Sequence, residues 1–176
     1  MTIGVLPLSP HAAMAVFRDL DPWDLIEAQA VRGSQADHLS LFAEWYGARH
    51  AHVVSHVLTQ GATQTPFAVL ALAHTGQAGV AQAALLARDH GRYAKSLAQA
   101  GVIIRQRLPA VMAELGIHRI ECRCLQRHPT AQRFLQLLGF HKETDMPGFG
   151  LSGNITFCQM AMVSPQSSKK DDPKCA

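Results

Sequence analysis

The chain has 176 residues, the length of one domain, and its 48% hydrophobic content suffices for a full core without disulfides. That composition excludes collagen, coiled coil and bulk disorder. With 16 Lys and Arg against 13 Asp and Glu, the net charge of +3 is too weak and too scattered for specific nucleic-acid binding.

The opening MTIGVLPLSP has no basic segment followed by a long apolar one, so it does not read as a secretory signal. Residues 12–18 (AAMAVFR) read as a first strand. Asp21, Pro22 and the following WDLIEAQAVRG predict a helix: Asp21 caps it, Pro22 takes the first turn and Gly33 ends it. A second helix is predicted from about Gln35 to Tyr46, with Leu39, Phe42, Trp45 and Tyr46 at helical spacing. The aromatics Trp23, Trp45 and Tyr46 read as core.

The β-branched content of 51–58 (AHVVSHVL) favours a strand over a helix. Residues 66–74 and 79–87 read as two strands joined by a Gly-containing turn. A polar stretch, RDHGRYAKS, leads into a long helix. Its apolar face runs through Leu97, Gly101, Ile104, Leu108, Met112 and Leu115, with Pro109 expected to kink it and Gly116 to close it. HRIECRCL (118–125) alternates as a half-buried strand. A helix follows over Pro129–Leu138, stopped by Gly139, then strands near 140–146 and 154–163. The polar ending predicts a disordered tail over 164–176 after a single domain over 1–163. The order β-α-α-β-β-β-α-β-α-β-β predicts an α+β fold, an α/β sandwich with helices packed on one sheet.

No apolar run is long enough to span a bilayer, so no membrane partner is expected. The four cysteines, Cys122, Cys124, Cys158 and Cys175, read as reduced thiols of a cytoplasmic protein. Cys122-x-Cys124 lacks a second Cys/His pair at finger spacing, so no metal is expected there. On a strand His50, His52 and His56 would share a face. That spacing suits a metal or a proton relay, but no Asp, Glu or Cys stands nearby in sequence, and they read as exposed or groove-lining.

The segment His128-Pro129-Thr130-Ala131-Gln132-Arg133-Phe134-Leu135-Gln136-Leu137-Leu138-Gly139-Phe140 carries a resemblance. Ala131, Phe134, Gly139 and Phe140 fall at the spacing of the motif that follows the fifth strand in GNAT acyltransferases. A closer resemblance, at WDLIEAQAVRG and HPTAQRFLQLLGF, is to the GNAT-like proteins of tailed bacteriophages, whose acyltransferase motifs are often degenerate.

The resemblance implies a mostly antiparallel twisted sheet whose fourth and fifth strands splay apart. Acetyl-CoA would lie in the gap, with its pyrophosphate on backbone N–H groups at the start of the next helix. The family's loop there is Gln/Arg-x-x-Gly-x-Gly/Ala. Here Arg88, Gly91 and Arg92 fit its start, and Tyr93 stands where a small residue belongs. Arg88, Gly91, Arg92 and His128 are therefore the candidate cofactor-binding residues. The fourth strand holds no carboxylate, which leaves Glu121 and Asp89 as candidate general bases. The family's acid, a tyrosine, is Leu135, and its opening asparagine is His128, which on its residues alone reads as a helix cap.

Two functions follow. One is acetyl transfer from acetyl-CoA to an amine. The other is a catalytically degenerate GNAT fold serving as a virion structural or accessory protein, partnered by other virion proteins. An unrelated α+β binding domain is a third reading.

Overall fold

The computed structural model describes residues 2–33 and 35–164. Ile3–Pro7 form an edge strand, β1. Pro10–Arg18 are a helix, α1, where a strand was expected. Ser9 explains the difference: its side chain accepts from the Ala12 N–H, Pro10 occupies the first turn, and Ala13, Val16 and Phe17 then fall on one buried face. The first strand thus lies earlier than expected, and three helices precede the second strand.

Pro22–Arg32 form α2, with Asp21 as its cap, as the sequence indicates. His38–Gly47 form α3, which Asp37 and Ser40 cap reciprocally. A short 3-10 turn over Ala48–Ala51 takes His50 off the strand that follows, so the three histidines do not share a strand face. His50 is exposed, while the His52 ring packs edge-on against Trp45, 5.5 Å between centroids.

Strands β2 (His52–Gln60), β3 (Thr65–His74) and β4 (Val80–Ala87) form an antiparallel run. Helix α4 spans Ala94–Glu114 and continues through Pro109, whose missing N–H deprives the Arg105 carbonyl of its helical donor. β5 (Arg119–Leu125), α5 (Ala131–Leu138), β6 (His141–Phe149) and β7 (Ile155–Val163) complete the order. The expected tail lies, from residue 165, outside the described residues.

The seven strands make one sheet in the order β1-β2-β3-β4-β5-β7-β6, antiparallel except where β4 meets β5. Alternation along the strands sends side chains to two helical layers. On one face, Leu108 and Met112 of α4 and Leu138 of α5 pack on Leu72, Ile120, Cys122, Cys124 and Met160. On the other, Val57 and Val69 meet α1 and α3, and Leu125 and Phe157 meet Trp23, Ile26 and Ala30 of α2.

Two glycines are required by this packing. A Cβ on Gly101 would lie 3.1 Å from Phe134 Cε2, so Gly101 lets α5 press onto α4. Gly139 ends α5 in the left-handed region (φ 103°), and the Phe140 N–H donates to the Leu135 carbonyl, which turns Phe140 into the core.

The feature that positions the site is the parallel pair. β4 and β5 are in register only over Val80–Arg119, Ala81–Ile120 and Gln82–Glu121. Beyond Gln82 they diverge, so the backbone facing the gap needs other partners.

Candidate functional site at the open end of the gap

Ala87 is the last residue of β4, and both its backbone groups find partners in the segment that starts α2. Its carbonyl accepts from the Asp21 N–H at 2.9 Å, and its N–H donates to Asp24 Oδ2 at 2.7 Å. Across the gap, the Leu125 N–H faces Glu27, and the Leu125 carbonyl accepts from the His128 N–H at 2.9 Å. Asp24 and Glu27 are three residues apart, so one helical face serves both sides of the opening. Asp24 thus satisfies a β4 group that the divergence would otherwise orphan, and Glu27 faces the β5 side.

The loop after β4 is bound just as closely to the same segment. Asp21 Oδ1 caps α2 by accepting from the Trp23 N–H, and its Oδ2 accepts from the His90 N–H at 2.8 Å. The Arg92 N–H donates to Asp89 Oδ1 at 2.9 Å and the Tyr93 N–H to the Asp89 carbonyl at 3.0 Å. The Arg88 N–H donates to the Phe67 carbonyl. Four amides of the loop therefore have acceptors from within the protein.

The expected cofactor-binding residues are placed as follows. Arg88 donates to Asp19 Oδ2 at 2.6 Å and to the Pro66 carbonyl at 2.9 Å, which binds its guanidinium to the protein's own groups. Gly91 and Arg92 are exposed, with the Arg92 guanidinium 5.5 Å from the centre of the Tyr93 ring. Tyr93 is buried and stacks on Phe67 at 5.7 Å. His128 caps α5: its Nδ1 accepts from the Thr130 and Ala131 N–H groups at 3.2 and 3.0 Å.

The two expected bases are not brought together. Glu121 lies at the closed end of the gap, where its Oε1 accepts from Arg119 Nε at 2.6 Å and Arg119 also pairs with Glu143. It lines a shallow pocket of about 200 Å³ with Gln82, Cys122, Arg123, Met146 and Gln159. Asp89 stands beyond the open end, holding its own loop. Leu135, where the resemblance would place the acid, packs against the apolar core.

What the structure does assemble is Asp24, His90 and His128. His90 Nε2 lies 3.4 Å and His128 Nε2 3.8 Å from Asp24 Oδ1. Burial pushes the Asp24 carboxyl up, but the facing His128 and His90 rings, the His90 charge and the Ala87 N–H outweigh it and hold it below its ordinary value. Burial pulls His90 down, yet the adjoining Asp24 carboxylate and the charges of Asp21 and Asp89 raise it above the usual histidine value. Burial lifts Glu27 to about 7, against the opposing Leu125 N–H and with the Asp24 charge adding to the rise.

Two histidines and a carboxylate from three elements have the composition of a metal site. The tautomer of His128 works against that use. Its Nδ1 must keep a lone pair for two backbone N–H groups, so the ring proton sits on Nε2, the atom facing Asp24. Asp24 and His90 remain as ligand atoms, two rather than three. Cys122 and Cys124 are buried thiols pushed up to about 12 by burial, hence protonated.

The sequence signal for this cluster was an acid on the buried line of α2: Asp24 precedes Ala28 by one turn, and both are buried. Its partners, His90 and His128, stand 66 and 104 residues further along.

No protein-family model matches the chain, and no curated protein matches it in sequence. Solved structures do match. A GNAT-family acetyltransferase from Bacillus anthracis superposes with a TM-score of 0.71 at 10% identity, over 93% of this chain and 95% of that one. The fold is that of the GNAT acetyltransferases. The ribosomal-protein-S18-alanine N-acetyltransferase from Escherichia coli gives 0.67 at 12% identity, over 96% and 99% of the two chains. Spermidine N-acetyltransferase from Vibrio cholerae, in complex with CoA and spermine, gives 0.63 at 11% identity, over 92% and 95%.

The cofactor that this GNAT fold implies is an acyl-CoA, and the residues present can be tested against it. A pyrophosphate needs free N–H donors and positive charge at the start of α4. The His90 and Arg92 amides instead meet carboxylates, and Arg88 is bonded to Asp19 and Pro66. The first turn of α4, from Ala94, carries no side-chain cap, so the loop in this conformation offers the group only part of the donors it needs.

Proposed function

We propose that this chain is a GNAT-fold protein that has given up acyl transfer and works as a binding or structural component. The observation that carries this reading is the Asp21 carboxylate on the His90 amide, where the resemblance would place phosphate. A carboxylate and a pyrophosphate are both anions and compete for the same donors. Displacing Asp21, which is buried, would strand a charge at a cost of roughly 3–5 kcal/mol. Leu135 in the acid's position supports the same reading, since it has no proton to give. The sequence resemblance to tailed-phage proteins supports a virion structural or accessory role, with virion proteins as partners and the host cytoplasm or the particle as its location.

Acetyl transfer to an amine is the second reading. Glu27 favours it: a carboxyl near 7 at the mouth of the gap suits a general base. In that case α2 must move away from the β4 edge before the cofactor enters.

Thermal unfolding with acetyl-CoA separates the two. Ligand at about 100 times its Kd stabilises by about 2.7 kcal/mol, roughly 5 °C or more for a domain of this size. The expected result is no shift at millimolar acetyl-CoA and no CoA thiol released with a polyamine or peptide amine. A clear shift with turnover would overturn the non-catalytic reading.

A further inference from the structure

The His90 imidazole lies between two carboxylates of the α2 segment. Its Nδ1 is 3.5 Å from Asp21 Oδ1 and its Nε2 is 3.4 Å from Asp24 Oδ1. Both carboxylates are buried, and the second oxygen of each accepts from the backbone at the β4 end, Asp21 from the His90 N–H and Asp24 from the Ala87 N–H. The ring therefore closes a circuit between α2 and the loop. A neutral imidazole has one N–H and serves one carboxylate. An imidazolium has two and serves both.

The other groups around the ring set its surroundings. The His128 ring tilts against it at 5.7 Å, and His128 directs its Nε2 proton toward the same Asp24 oxygen. Asp89 adds a negative charge from the loop itself. Glu27 stands one turn further along α2, and Arg88 is paired with Asp19.

We propose that His90 is a proton-operated clasp: doubly protonated, it pins α2 to the loop after β4; neutral, it releases one of the two carboxylates and loosens the mouth of the gap. The clasp stands on these contacts and not on whether the protein binds acyl-CoA. The sign follows from the direction of the His90 shift. Folded His90 binds its proton more tightly than the unfolded chain does. The contribution is therefore complete below the unfolded value near 6.5 and is lost as pH rises through the higher folded value.

The test is NMR on the full chain: the His90 ring titration, and exchange of the Ala87 and His90 amides from about pH 6 to about pH 8.5, corrected for intrinsic base catalysis. The ring is expected to titrate above about 6.5, and both amides to lose protection about tenfold for each unit of that excess. In His90→Gln the pH-dependent loss should vanish. Glu27 titrates in the same window, so a Glu27→Gln background isolates the His90 effect. Titration of the ring at or below about 6.5, or an equal loss of protection in His90→Gln, would overturn the clasp. If His90→Gln does not fold, the wild-type ring titration and exchange still decide.

Discussion

The turn after β5 and the loop after β4 face each other across one gap. In the turn, Ala131 and Phe134 pack on the core, Gly139 ends α5 and Phe140 is buried. The letters that carry packing match the motif this segment resembles, while Leu135 stands where the resemblance would place an acid. In the loop the reverse holds. Arg88 and Gly91 resemble part of a phosphate-binding pattern, yet Arg88 pairs with Asp19 and the His90 and Arg92 amides serve carboxylates. Packing residues answer to the core whatever the chemistry. A loop's letters do not reveal which acceptors its amides have found.

The comparison can be broken from the loop side with the largest effect. Asp24→Ala should cost about 3–5 kcal/mol, because it strands the buried Ala87 N–H and removes the carboxylate shared by His90 and His128. Urea unfolding reads it. A loss below about 1 kcal/mol would mean that α2 does not anchor the gap.

From the turn side, Gly139→Val should cost about 3 kcal/mol. A β-branched residue is strained at that φ, and its Cβ would sit 3.0 Å from Met162 Cε. Gly139→Asn should cost less, since Asn reaches the left-handed region more easily. Equal costs for the two would argue against a left-handed stop at this position.

His128 belongs to both segments, and its substitutions sharpen the contrast. His128→Ala should lose about 1–2 kcal/mol through the missing cap. His128→Asn should recover much of that, because the amide oxygen can accept from the same N–H groups. If Asn recovers nothing, the contact with Asp24 matters more than the cap.

The smallest effect concerns Glu27. Its folded value near 7 is above the unfolded one, so it favours folding most at low pH, and that contribution is lost as pH rises from about 4.5 through 7. Glu27→Gln should therefore raise Tm by a few degrees at about pH 8 and change it little at about pH 4.5. Equal shifts at both pH values would show that Glu27 is not buried as a carboxyl.

Much of the fold was legible because its signals are local. Asp21-Pro22 and Gly33 bracket α2, alternation marks β5, and the frame ending in Gly139-Phe140 locates α5. Residues 12–18 misled because AAMAVFR suits either element, and the decision came from Ser9-Pro10 just upstream. The cluster was illegible for another reason. His90 and Asp21 stand 69 residues apart, and no periodicity links a cap to a loop amide across that distance. His128 was legible as a cap, its local role, but not as a neighbour of Asp24.

Amide exchange at His90 and Arg92, with and without acetyl-CoA, tests most directly whether the loop's donors are already taken. Protection of both amides in the free protein, unchanged by about 1 mM acetyl-CoA, is the predicted result, because Asp21 and Asp89 occupy them. Rapid exchange in the free protein, slowed when acetyl-CoA is added, would contradict it and return the loop to phosphate binding.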